Sequence, residues 1–116
     1  MIIGIHHIAI SVENLDAAVS FYQNAFGFEV VQTSDFNKNK LVDAAIGLTD
    51  AEARMAMLKA PNAFVELWEY THPQPKDLRS RPCDHGYPHF ALQVSNIDGE
   101  YHRLPEAGKT FAGEGV

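Results

Sequence analysis

The chain has 116 residues, a length that favours one domain with one hydrophobic core and excludes a two-domain enzyme. Its formal net charge of −6 at pH 7 excludes nucleic acid and anionic membrane surfaces as expected partners, because a field of that sign repels them. An apolar fraction of 46% excludes a disordered chain. The lone Cys83 cannot form a disulfide within the chain, which suits a reducing compartment. The apolar segment 2–12 is too short to span a bilayer, and we therefore expect a cytoplasmic protein.

The first predicted elements are a strand and an amphipathic helix. Residues 3–12 alternate in character, so Ile8 and Ile10 share one strand face while His7 points to the other. After Asn14, a helix-capping residue type, apolar residues recur at helical spacing up to Gly27, which favours a helix end.

Three further strands and a second helix complete a predicted β-α-β-β-β module over residues 1–70. Their β-branched, aromatic and helical patterns give, in chain order, strand 28–34, helix 41–46, strand 54–59 and strand 63–70. Pro61 and Asn62 predict a hairpin turn between the last two strands. A proline-rich connector is predicted over residues 71–86, and the pattern then restarts.

The restart is an internal repeat. Residues 7–16 align with residues 89–98, and five of the ten aligned residues are identical. The helix of this second copy is expected to end at Gly108. The repeat predicts a second module over residues 87–116 within the same single domain, built from the same strand-and-helix unit. That module is incomplete, because the position equivalent to Glu66 would fall beyond Val116, which we therefore expect to be the edge of a truncated region.

Three residues are candidate metal ligands: His7, Glu66 and His89. Strand alternation places each on a face opposite the most aliphatic side chains, and two of them occupy equivalent positions of the repeat. Such nitrogen and oxygen donors suit Zn, Ni, Co, Mn or Fe(II). The same faces carry a predicted substrate pocket formed by Phe64, Trp68, Tyr70 and Gln93. A histidine on a strand is more often simply hydrogen-bonded, and His6, on the other face, is expected to be structural.

These motifs resemble the vicinal oxygen chelate superfamily, which contains glyoxalases, bleomycin resistance proteins and extradiol dioxygenases. The resemblance rests on residues 7–12, 26–28 and 65–67 and on the second copy at residues 89–94. It implies an α+β fold in which paired β-α-β-β-β modules form a cup-shaped mixed sheet with helices outside and a divalent metal within. His7, Glu66 and His89 match three of the four ligand positions of glyoxalase-like members, and the fourth, a glutamate, has no counterpart.

The resemblance leaves three functions open. The first is a glyoxalase- or epimerase-type lyase or isomerase that acts on a small carbonyl substrate through a metal-stabilised enediolate, with Glu66 as the catalytic residue. The second is an extradiol-type Fe(II) dioxygenase, and the third is a ligand-binding protein of the bleomycin resistance kind. Because a lone module leaves sheet edges open, we also expect a homodimer.

Overall fold

A computed structural model describes residues 1–106 of the chain. The chain divides into two compact units, the first comprising Met1–Pro75 and the second beginning at Lys76. No helix in the described range is long and apolar enough to cross a membrane.

The first unit is one β-α-β-β-β module built on a four-stranded mixed sheet. Its elements in chain order are β1 (His7–Ser11), α1 (Leu15–Phe26), β2 (Glu29–Asn37), α2 (Lys40–Ile46), β3 (Glu52–Lys59) and β4 (Phe64–His72). The sheet order is β1-β4-β3-β2, in which β1 runs parallel to β4 and the other neighbours are antiparallel. The predicted α+β class is therefore confirmed, with one module formed.

The helix boundaries follow the predicted capping residues. The Asn14 side chain accepts a hydrogen bond from the Ala17 amide at 3.0 Å, which pairs one of the free donors at the start of α1. Gly27 ends the helix with φ of 70°, a left-handed conformation that glycine adopts without steric cost. Gly47 ends α2 in the same way, with φ of 74°.

Alternation along β3 and β4 separates two hydrophobic clusters. Leu58, Val65 and Leu67 face α1, and the two leucines are fully buried. Complete burial of a leucine contributes about 1.5–3 kcal/mol, so this contact is the main attachment of α1 to the sheet. The opposite surface, here called the site face, carries a second cluster formed by Ala53, Met55 and Trp68 with Phe36, Val42, Met57 and Tyr70 packed against it.

The first strand is shorter than the prediction of 3–12. Because β4 begins at Phe64, which pairs with His7 and donates its amide to the His6 carbonyl, residues 1–5 have no strand neighbour among the described residues. Ile2 and Ile3 are accordingly more than nine-tenths exposed.

The second unit contains α3 (Ile97–Glu106). Asn96 accepts a hydrogen bond from the Gly99 amide at 3.1 Å, which repeats the Asn14 cap of α1. The predicted strand over residues 89–94 is wrong, because this segment has no regular secondary structure. A strand needs a partner for its backbone groups, and the described chain contains no second-module strand that supplies one. The predicted helix end at Gly108 lies outside the described residues.

Candidate functional site

The parallel pairing of β1 with β4 brings His7 and Glu66 together on the site face. Ala9 lies opposite Glu66, so His7 is the diagonal neighbour of Glu66 across the two strands. The distance from His7 Nε2 to Glu66 Oε1 is 3.4 Å. The imidazole is 41% exposed and the carboxylate side chain 13%, so the pair is open on the histidine side.

Trp68 contacts the same carboxylate oxygen as His7 does. Its indole Nε1–H donates to Glu66 Oε1 at 3.1 Å. The indole is stacked with Phe36 at a ring-centroid distance of 5.4 Å and with Tyr70 at 5.6 Å. Because Trp68 is only 9% exposed, little of its ring is open to a flat ligand.

His6 contacts His7, although strand alternation predicts that it turns away. Its Nδ1 is 2.8 Å from His7 Nδ1, and its ring lies 5.1 Å from that of Phe64. The alternation does not apply to His6 because β1 begins at the next residue. In this hydrogen bond one Nδ1 carries the proton and the other accepts it. If His7 is the donor, its Nε2 is left unprotonated and directed toward Glu66.

Tyr70 extends the site face beyond Trp68. Partial burial, and to a smaller extent the Glu66 carboxylate, raises the pKa of Tyr70 above its ordinary value of 10.0. The phenol is therefore a neutral hydrogen-bond donor at pH 7, close enough to Glu66 to be influenced by its charge.

The His7 and Glu66 pair fits two adjacent ligands of a divalent ion. Adjacent ligands about 2.0–2.2 Å from such an ion lie about 2.8–3.1 Å from each other in octahedral geometry and about 3.3–3.6 Å in tetrahedral geometry. The observed separation of 3.4 Å lies within the tetrahedral range. Within residues 1–106 no group of three His, Cys, Asp or Glu side chains is close enough to hold a metal ion, so the first unit supplies two donors.

The remaining predicted site residues are Phe64, His89 and Gln93. Phe64 begins β4, pairs with His7 and shares the strand face of Glu66, and it is half-buried beside His6. His89 and Gln93 belong to the second unit, where both are exposed. The structure therefore brings His7, Glu66, Trp68 and Tyr70 together on one sheet face, and His89 and Gln93 are described only within their own unit.

Glu69 has a different role from Glu66, although the two lie three residues apart on β4. Residues three apart on a strand point to opposite faces, so Glu69 lies on the α1 face. There its Oε1 accepts a hydrogen bond from the Leu15 amide at 2.8 Å, and its Oε2 is 3.3 Å from Arg54 Nη2. Glu69 thus secures the first turn of α1, whereas Glu66 faces His7. The sequence already contained the signal that separates them, which is their parity along the strand.

Comparison with known families gives a match over nearly the whole chain. Residues 4–114 match the family described as the Glyoxalase/Bleomycin resistance protein/Dioxygenase superfamily. The chain is 36% identical over 111 residues to a 2-epi-5-epi-valiolone epimerase from Actinomyces sp. That alignment covers 87% of this chain and 58% of the epimerase, so the chain spans little more than half the length of this relative.

Solved structures share the fold. A glyoxalase family protein from Bacillus cereus superposes with a TM-score of 0.80 at 24% identity, over 93% of this chain and 74% of that one. A glyoxalase family protein from Enterococcus faecalis gives a TM-score of 0.66 at 26% identity, over 90% and 72% of the two chains. The fosfomycin resistance protein FosX from Listeria monocytogenes, solved with Mn(II) and 1S,2S-dihydroxypropylphosphonic acid, gives 0.62 at 21% identity, over 100% and 80%.

Proposed function

This chain belongs to the Glyoxalase/Bleomycin resistance protein/Dioxygenase superfamily, and from that premise we propose that it is a metal-dependent isomerase or lyase of the glyoxalase and epimerase type. The observation that carries the proposal is the His7 and Glu66 pair, which presents a nitrogen and an oxygen donor 3.4 Å apart on one sheet face. The 36% identity to an epimerase supports this reaction class.

The proposed ligands are His7, Glu66 and His89. Support for His89 comes from the sequence repeat, in which it takes the place of His7, and from the matching helix caps at Asn14 and Asn96. A fold relative with Mn(II) bound supports a divalent ion as the cofactor. When bound, such an ion acts as a Lewis acid that makes the C–H bond beside a carbonyl group more acidic.

The residues of the first unit have separate parts in this proposal. Epimerisation beside a carbonyl requires a base that removes the proton from one face and an acid, here solvent water, that delivers a proton to the other face. Glu66 is the candidate base, because its carboxylate is partly buried and held at Oε1 by Trp68. Tyr70, a neutral phenol on the same face, is a candidate donor to a substrate oxygen. The substrate class is a small carbonyl compound.

Metal binding tests the proposal most directly. Chelator-free protein is titrated with Mn(II), Zn(II), Ni(II) and Co(II) and, without oxygen, with Fe(II), and bound metal is measured by elemental analysis. We expect stoichiometric binding that weakens at least about 100-fold in His7→Ala, Glu66→Gln and His89→Ala, since loss of a hydrogen-bond partner of a metal ligand already costs about 10–100-fold. His102→Ala, an exposed histidine on α3, is the matched control.

The outcomes separate the three functions. Absence of stoichiometric metal in the wild type contradicts the enzyme proposal and favours a ligand-binding protein of the bleomycin resistance kind. Selective uptake of iron favours the dioxygenase. If metal binds, exchange of solvent deuterium into small α-hydroxy ketones tests the reaction, and Glu66→Gln should slow it by about 10²–10⁴-fold.

We also propose that the chain forms a homodimer in the cytoplasm. In the described residues no strand pairs with the outer edges of β1 and β2, and such edges favour association. The single exposed Cys83 suits a reducing compartment. Light scattering that gives the mass of one chain would contradict the dimer.

A further inference from the structure

Trp68 is the single tryptophan of the chain and lies among the buried residues of the site face. It contacts Ala53 and Met55 and stacks with Phe36 and Tyr70 at interplanar angles of 19° and 10°. Aromatic contacts of this kind fix a ring in one orientation. The direction of the indole N–H is therefore set by packing before any ligand arrives.

That N–H points at the oxygen that faces His7. An indole nitrogen can only donate, and Trp68 Nε1 donates to Glu66 Oε1 at 3.1 Å. The terminal torsion of a glutamate is broad and roughly two-fold, so an unrestrained carboxylate turns freely. A rigid donor on one oxygen removes that freedom and fixes the plane of the carboxylate, which directs Oε1 to His7 Nε2 at 3.4 Å.

We propose that Trp68 is a positioning residue that orients the Glu66 carboxylate for metal binding through its indole N–H. This inference rests on the proposed function, in which Glu66 is a ligand. It has Trp68 orient a ligand of the metal, in place of the substrate contact that the sequence predicts. Orienting partners of this kind lower the cost of ordering a ligand and tighten the bound state.

The alternative is that the hydrogen bond only satisfies the polar group of a buried ring. The two roles predict different effects of Trp68→Phe on metal affinity. Trp68→Phe keeps an aromatic ring in the stack and removes the donor. A purely structural bond predicts reduced thermal stability with unchanged metal affinity, whereas a positioning bond predicts reduced affinity in a protein whose circular dichroism spectrum is unchanged.

The experiment compares Mn(II) and Zn(II) affinities of the full chain by calorimetry. We expect Trp68→Phe to bind each metal about 10–100-fold more weakly than the wild type, as when other hydrogen-bond partners of metal ligands are removed. Val30→Ala is the control, because it loosens packing on the α1 face of the same sheet and leaves both the indole donor and its stack intact, so its affinity should stay close to that of the wild type. An equal loss in both variants, or no loss in Trp68→Phe, overturns the inference.

A second readout needs no metal. The single indole gives one ¹H–¹⁵N resonance, which reports directly on the Nε1–H of Trp68. Glu66→Ala should shift this resonance and speed its exchange with solvent, while Glu29→Gln, at an exposed position on β2, should leave it unchanged. An unshifted resonance in Glu66→Ala overturns the inference. A wild type that binds neither metal instead overturns the proposed function, and the inference with it.

Discussion

Replacing Glu69 tests whether the two glutamates of β4 have the separate roles that their faces indicate. Glu69→Ala removes the carboxylate that accepts the Leu15 amide at 2.8 Å in the first turn of α1. Leu15 is 5% exposed, so the freed N–H is shielded from water. A hydrogen bond to a charged group contributes about 1.5–3 kcal/mol, and a carboxylate near a helix N-terminus adds about 0.3–1 kcal/mol.

The expected loss in Glu69→Ala is therefore about 2–4 kcal/mol of unfolding free energy. The contact with Arg54 adds little, because that guanidinium is exposed to solvent. Glu69→Gln keeps an oxygen acceptor and loses the charge, so about 1–2 kcal/mol is expected. At this chain length each kcal/mol lowers the melting temperature by about 4 °C.

Urea unfolding followed by circular dichroism measures these differences, and metal titration of the same variants measures the site. Glu69→Ala should unfold at lower urea concentration and bind metal as the wild type does. Glu29→Gln, on exposed β2 surface, is the control and should change stability by less than about 0.5 kcal/mol. A loss below about 0.5 kcal/mol in Glu69→Ala, or a large loss of metal affinity, would refute the assignment of Glu69 to α1.

Three further predictions concern single side chains. The Tyr70 phenol should ionise above pH 10.0, which ultraviolet difference titration against Tyr70→Phe measures. Because the pKa of Tyr70 is raised in the folded chain, its contribution to stability is complete below pH 10.0 and is lost as pH rises through the native pKa. Glu66→Gln should reverse only the smaller part of this pKa shift, since burial is its larger cause. His6→Ala should weaken Mn(II) binding by about 10-fold, because His7 loses the hydrogen-bond partner of its Nδ1. An unchanged affinity in calorimetry would show that His6 has no part in the site. Gly27→Ala should lower the free energy of unfolding by about 1–2 kcal/mol, as measured by chemical denaturation. A Cβ at this position meets no atom within 4 Å, so the loss comes from the left-handed backbone conformation alone. An unchanged free energy of unfolding would contradict this explanation.

Local sequence signals predicted most of the first unit. The Asn14 cap, the Gly27 stop and the turn at Pro61 act over a few residues, so their effect is visible in the sequence alone. Strand parity correctly separated the aliphatic face of β4 from the face that carries Glu66. Both features depend on neighbours in the chain rather than on distant partners.

Side-chain contacts and strand pairing were not predictable in the same way. Which Glu66 oxygen meets Trp68 depends on side-chain packing, and the contact of His6 with His7 depends on where β1 begins. The expected strand at residues 89–94 shows the same limit. Its residues have the right alternation, yet a strand forms only where a second strand pairs with its backbone.

The parallel pairing of β1 with β4 has a consequence for the order of folding. Strands β2, β3 and β4 form a meander whose neighbours are close in sequence, whereas His7 pairs with Phe64 across the whole of that meander. Contacts of long sequence separation form late, and an edge strand is among the first to open. Glu66 and Trp68 therefore meet within β4 itself, and His7 joins them only when the first strand docks. A ligand bound to both His7 and Glu66 would hold the first and last strands of the unit together. At concentrations above its dissociation constant, it would stabilise the folded chain in proportion to the logarithm of its concentration.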